Sequence, residues 1–439
     1  MNFKRLIYNA YNDERLLLVL IFFISIFISL IFLFFFGNVG PREHRIPGPD
    51  YLNYYEPIAD SIIQGKGIPI REEFAIRYPP GYPIFLSLIF GLSKLLEINR
   101  LELVVIFNVI ATAFACSILF FLVKSILNKK IALVSVFLWA TYPFNLWFIK
   151  NPNTEVPFIP LFFAALFAYI MAFKKNSFRL FLLCGIFMGL ASLIRPITVF
   201  LPVFLLVLLF YIIKFISCRK KFLLAVALLI GYAAIILPWL IYVYLNVGKI
   251  IPLSTGGSSN IPAGLTFMVD KNKMNNGIGE EGKMVLPSDI TDLIKRVRVI
   301  NKDSSGEIIY FFQQEIENHP ITFLKLVAIK MARAWYATSE MWWEKQILLI
   351  QLAYLIPAIA GAMIWFKKIK EKKSHLLLLL TVVFYFWAMT TISLSIMRYM
   401  VPIMGLIMVF AAITIFYLLE KIKNIFIHGN RSNYSGISF

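Results

Sequence analysis

Twenty-one consecutive residues, Leu16 to Phe36, carry no charge, and uncharged apolar runs recur almost to the end of the chain. A helix of about 20 apolar residues crosses the ~30 Å hydrocarbon core of a bilayer with its backbone polar groups satisfied internally. With 59% apolar and 16% aromatic residues over 439 positions, the sequence holds more such runs than a soluble core can bury. The chain reads as an all-α polytopic membrane protein. The first run follows Lys4, Arg5 and Arg15, is too long for a signal-peptide core and lacks an A-x-A site, so it reads as an uncleaved signal anchor.

Charge sets the sidedness. The formal net charge is +19, and six short segments carry 21 of the 43 Lys and Arg but only 4 of the 24 acids. They are residues 1–15, 124–130, 174–179, 214–221 and 367–373, and the tail from Glu420. Basic residues in short connections mark the cytoplasmic side. The basic balance is therefore explained by topology, which argues against nucleic-acid binding. Cys116, Cys184 and Cys218 lie in or beside apolar segments without C-x-x-C spacing, and read as thiols with no disulfide or metal role.

Placing those segments inside gives about ten transmembrane helices, with both termini cytoplasmic. The expected spans are 16–36, 101–123, 131–149, 156–173, 180–194, 197–213, 222–245, 346–366, 375–395 and 399–419. Residues 84–96 are apolar but too short to cross, and crossing would turn every later basic loop outward. They read as a juxtamembrane or re-entrant helix. The chain thus divides into an N-terminus with the first span (1–36), a large outer loop (37–100) and spans two to seven (101–245). A second outer loop (246–345), spans eight to ten (346–419) and a tail (420–439) follow. The second loop opens with a Gly/Ser-rich stretch that reads as mobile. It closes with His319–Tyr336, whose Lys325, Lys330 and Arg333 suit a helix lying in the membrane interface. Two N-x-S sequons, at Asn430 and Asn433, fall in the tail and carry no argument.

Five charged residues on the outer side could carry chemistry. Asp50 follows a Pro/Gly segment and reads either as the N-cap of a helix ending near Gly65 or as a catalytic carboxylate held at that junction. Arg77, in R-Y-P-P-G-Y-P, stands on a stiff loop and could pair with a lipid headgroup or hold a phosphate. Glu155 starts a span, where the helix dipole favours an acid, and puts a second carboxylate on the same side as Asp50. Paired carboxylates suit acid–base work or a divalent metal. Arg195 lies at the turn of a tight hairpin over 180–213, and Arg398 is nearly the only charge between the last two spans. Arginines at that depth either snorkel to headgroups or gather around an anionic group such as a lipid phosphate.

These stretches together resemble the GT-C superfamily of integral-membrane glycosyltransferases. The likeness is to the branch with protein O-mannosyltransferases and the aminoarabinose transferases that modify lipid A. It rests on G-P-D-Y-L-N-Y-Y, R-Y-P-P-G-Y-P-I-F-L, the T-E of N-P-N-T-E-V-P, G-L-A-S-L-I-R-P and R-Y-M-V-P, in family order over most of residues 45–420. Where the family often has D-E in its first loop, Tyr51 follows Asp50, so a single acid maps there. The resemblance implies inverting transfer of a sugar from a polyprenyl-phosphate donor, without a nucleotide, on the outer face of the plasma membrane. The acceptor would be a protein, a glycolipid or a polysaccharide. By resemblance Asp50 is the catalytic carboxylate, Arg77 contacts the lipid phosphate, and Glu155 is the second-loop acid in a supporting or acceptor-binding role. Arg195 and Arg398 join the phosphate site from their depth alone. Residues 254–282 would cover the acceptor as a lid. No cofactor is required on this reading, with a divalent cation on the outer carboxylates left open. The alternatives are a transporter or flippase of lipid-linked sugars or small anions, favoured by intramembrane arginines and a Pro-broken hairpin, and a non-enzymatic scaffold.

Overall fold

The computed structural model describes residues 13–39, 47–70, 76–212, 216–267, 274–275, 284–298, 305–339 and 341–428. Lys4, Arg5, the tail sequons and most of the expected lid beyond Phe267 lie outside the described residues. In chain order the α-helices are α1 (Glu14–Phe36), α2 (Glu56–Ile63), α3 (Gly81–Leu96), α4 (Arg100–Ile126), α5 (Lys129–Ala140) and α6 (Pro143–Ile149). Next come α7 (Glu155–Lys175), α8 (Phe178–Ile194), α9 (Leu201–Ile212), α10 (Cys218–Val247), α11 (Gly256–Leu265) and α12 (Ser288–Val297). The last are α13 (Ser305–Asn318), α14 (Pro320–Arg333), α15 (Glu344–Lys368), α16 (Lys373–Ile392) and α17 (Val401–His428). A two-residue parallel ladder, Met274–Asn275 with Met284–Val285, is the only strand pairing among the described residues.

The fold is all-α and polytopic. Seven helices, α1, α4, α7, α10, α15, α16 and α17, are long and apolar enough to cross a membrane, and the bent pair α5–α6 makes an eighth. The expected straight span 131–149 is broken by 54° at Thr141–Tyr142, just before Pro143. A proline at the first position of α6 starts a new helix readily but donates no hydrogen bond back to the old one. The hairpin legs are α8 and, after a tight turn at Pro196–Thr198, α9; both are shorter than a crossing helix, so the expected number of ten rests on counting them. The expected outer segment 84–96 is α3, likewise short.

α17 is the hub: within its apolar window 78% of residues are buried, against 22% for α1 and α15 at the periphery. The outward faces of α1, α9, α10 and α15 present Phe, Leu and Ile side chains, as lipid-facing surface requires. Small residues bring backbones together inside. Gly185 of α8 abuts the Leu228 carbonyl of α10, and Gly231 of α10 abuts the Leu182 carbonyl of α8, so neither position has room for a methyl group. Gly185→Val is therefore expected to lower stability by about 1–3 kcal/mol through overpacking. Thermal unfolding in detergent would read the loss, and an unchanged midpoint would show that the two helices can separate freely.

Basic segments collect at one end of the bundle. Lys124 pairs with Glu14, Lys174 donates to the Ser125 carbonyl, and Lys372 donates to the Leu127 carbonyl. Cys116 and Cys184 are buried free thiols and Cys218 is an exposed one. The opposite end carries the larger connections. There the Gly/Ser-rich stretch is not loose as expected: it forms α11, tied at its start by Thr255 N–H to the Ile76 carbonyl (2.8 Å) and Gly256 N–H to the Arg77 carbonyl (3.1 Å). Gly256 and Gly264 explain the composition, since a side chain at either would strike the carbonyls of Arg77 and Ser393 respectively. α14 also departs from the interfacial reading. Lys330 and Arg333 are buried instead of reaching headgroups. Lys330 donates to the Ser393 carbonyl (3.1 Å) at the end of α16, and Arg333 makes a two-pronged bond to Glu344 (2.9 Å each).

Candidate functional site

Asp50 stands where the chain enters the α2 region, but it is not a helix cap. Its backbone is already helical and its carboxylate bonds no amide. One wide turn, Tyr51–Tyr55, follows, closed by Glu56 N–H on the Tyr51 carbonyl. Such π-helical turns often accompany functional sites because they re-aim side chains within a helix. The Asp50 carboxylate instead accepts a hydrogen bond from the Tyr78 hydroxyl at 2.8 Å, through Oδ1. No second donor reaches it among the described residues. The Tyr78 ring is packed against Tyr54 and Tyr55 (centroids 5.2 and 5.1 Å), and Tyr55 packs edge-on to Tyr82 (5.0 Å). Burial, then the Asp50 charge, push the Tyr78 phenol well above its ordinary range, so it stays a donor at physiological pH. Arg77 is exposed, with its guanidinium 5.5 Å from the Tyr54 ring centroid.

The other three charges form one buried cluster. Glu155, at the first position of α7, is completely buried. Arg195 lies 2.5 Å from its Oε1 and also donates to Thr154 Oγ1 at 2.9 Å. Arg398 grips the same carboxylate with Nε and Nη2, the latter 3.1 Å from Oε2. The Arg195 side chain is 5% exposed and stacks over the Tyr399 ring (5.1 Å), whereas that of Arg398 is 39% exposed. Local sequence explains the geometry. Arg195 precedes Pro196 and so is held extended, at φ −139° and ψ 116°, which ends α8. Arg398 falls in the tight turn Met397–Tyr399 between α16 and α17.

Two guanidiniums against one carboxylate leave a net charge of +1, and Arg398 is the arm that reaches the surface. Only a weak electrostatic influence links this cluster to Asp50, which acts on Arg398 less than Glu155 and Tyr399 do; among the described residues no hydrogen bond or ion pair joins Asp50 to Arg398. Of the five expected residues, Glu155, Arg195 and Arg398 meet in one cluster, Asp50 bonds Tyr78, and Arg77 lies by the Tyr54 ring. Tyr78, Thr154 and Tyr399 were not expected; each is the immediate chain neighbour of a charged residue that was.

Among the described residues, the acid of this cluster is taken up by its arginines. Both oxygens of Glu155 face guanidiniums. Among the described residues no three His, Cys, Asp or Glu side chains converge.

The chain has a GT-C type of all-α membrane fold, which rests on the following likenesses. Residues 78–242 match the family model described as dolichyl-phosphate-mannose-protein mannosyltransferase. Among solved structures it is similar to the oligosaccharyltransferase of Archaeoglobus fulgidus. The apo form superposes with a TM-score of 0.58 at 13% identity, covering 97% of this chain and 54% of that one. The same enzyme tethered to an acceptor peptide containing the NVT sequon gives 0.58 at 13% identity over 95% and 51%. In complex with an inhibitory peptide and a dolichol-phosphate it gives 0.55 at 13% identity over 96% and 53%. The chain therefore spans about half the length of these neighbours. No curated protein matches the sequence.

Proposed function

We propose that this protein is an inverting glycosyltransferase. It transfers a sugar from a polyprenyl-phosphate carrier to a hydroxyl-bearing acceptor, whether protein, glycolipid or polysaccharide, on the outer face of the plasma membrane, with both termini cytoplasmic. The observation that carries the proposal is the buried Glu155–Arg195–Arg398 cluster, which has a surplus positive charge and a half-exposed Arg398, together with the partly buried Asp50 carboxylate held by Tyr78. Asp50 takes the proton of the acceptor hydroxyl as its oxygen bonds the anomeric carbon. The bond from that carbon to the phosphate oxygen breaks, and its electron pair leaves with the polyprenyl phosphate. Arg398, with Arg77 at the border, stabilises the charge that develops there. Attack opposite the leaving phosphate inverts the anomeric centre. Glu155 holds Arg398, and Arg195 in turn holds Glu155, so these two position the phosphate-facing arginine.

The family match makes mannose the first sugar to try, and the neighbour's complex with a dolichol-phosphate and a peptide supports a prenyl-phosphate ligand beside an acceptor. The test is reconstitution with radiolabelled polyprenyl-phosphate sugars and membrane extract. Movement of label to an acceptor supports the reading. Binding of the carrier without transfer of any sugar would favour a transporter. Because the Glu155 oxygens are held by guanidiniums, transfer is expected to continue undiminished in excess EDTA. Loss of activity restored by a divalent cation would overturn the metal-free form of the mechanism.

A further inference from the structure

We propose that Tyr78 is the positioning residue for Asp50: its hydroxyl fixes the carboxylate through one oxygen and directs the other at the acceptor hydroxyl. This rests on the reaction proposed above. A carboxylate on a helical backbone rotates freely about its terminal torsion unless something holds it. Nothing in the first turn of its own helix does so here, since Asp50 bonds none of the amides that follow it. The hold comes from 28 residues downstream, in the 2.8 Å bond from Tyr78 to Oδ1.

The phenol itself is well fixed. Its ring lies against Tyr54 and Tyr55, and Pro79 directly after it restricts its backbone. The pair also joins two segments that a reaction needs in register. Tyr78 neighbours Arg77 in the chain, and the Arg77 carbonyl receives the first amide of α11. A shift of the 76–80 loop would therefore move the orientation of Asp50 together with the guanidinium beside it. With Oδ1 accepting from Tyr78, Oδ2 is the more basic oxygen, and the acceptor hydroxyl is directed to that side. A phenol that never ionises in the working pH range suits this task, because it donates throughout the cycle and takes no proton from the base.

Packing alone could also account for a tyrosine among aromatic rings, and Tyr78→Phe separates the two roles because it keeps the ring and deletes only the hydroxyl, which donates to Asp50 and also meets Arg77. Purified wild type and Tyr78→Phe would be compared with a radiolabelled polyprenyl-phosphate sugar and a saturating acceptor extract. Loss of orientation is expected to lower kcat by about 10- to 100-fold, with the donor KM within about twofold of wild type. An unchanged kcat would overturn the proposal and leave Tyr78 as packing. A raised donor KM at constant kcat would overturn it too, by making Tyr78 a contact to the donor. If the wild type transfers no sugar at all, the proposed function falls, and the pairing is judged by fluorine NMR on the full-length protein carrying fluorotyrosine at position 78. Its resonance is expected to move when Asp50→Ala removes the acceptor. A resonance that stays put would overturn the pairing independently of any activity.

Discussion

Replacing Asp50 by Asn is expected to abolish sugar transfer while the protein still folds and still binds the polyprenyl-phosphate carrier. The amide is nearly the same size as the carboxylate and its oxygen can still accept from Tyr78, so the loop keeps its geometry. What disappears is the ability to take a proton from the acceptor hydroxyl. A positioned general base is worth on the order of 10²- to 10⁴-fold, so label transfer should fall to near background. The binding arm gives the result its meaning. Arg398 is oriented by Glu155, not by Asp50, so the affinity for sugar-free carrier should change little. Transfer at the wild-type rate in Asp50→Asn would remove Asp50 from the chemistry. A variant that also fails to bind the carrier would make Asp50 a ligand contact instead.

The parts of this protein that could be read from the sequence are those dictated by local composition. Uncharged length located the membrane-crossing helices to within a few residues, because a run such as Leu16–Phe36 has few other ways to satisfy its backbone in lipid. The basic clusters were legible for the same reason: Lys124, Lys174 and Lys372 do collect at one end. So was the break at Arg195-Pro196, which proline imposes whatever surrounds it. What could not be read is which charges meet. Glu155 and Arg398 are 243 residues apart, and nothing near either one encodes the other. Depth alone suggested that Arg195 would face an anionic group, but not that Glu155 and Thr154 would be among its partners. Lys330 and Arg333 were misread in the same way, because an amphipathic helix beside tryptophans looks interfacial until its charges are seen to bond Ser393 and Glu344. Asp50 resembled a cap because capping and hydrogen bonding to a distant tyrosine use the same residue type at the same kind of junction.

Glu155→Ala should be among the most destabilising single substitutions in the bundle. The carboxylate is fully buried between two guanidiniums, one of them almost as buried as itself. Deleting it leaves Arg195 and Arg398 as like charges around a small cavity, with Arg195 almost wholly buried. Removing one member of a buried ion pair costs about 3–5 kcal/mol, most of it from the charge left behind. That origin yields a second expectation. Adding Arg195→Met to Glu155→Ala removes the most buried uncompensated charge, so the double variant should recover part of the lost thermal stability in detergent. Simple loss of side-chain volume would make the two losses add instead. Activity should not recover with stability. Arg398 would then have no carboxylate to hold it toward the surface, and its guanidinium could turn back to the Tyr399 side. A double variant that regains both stability and transfer would mean that Arg398 finds the phosphate unaided. The cluster would then serve the fold and not the reaction.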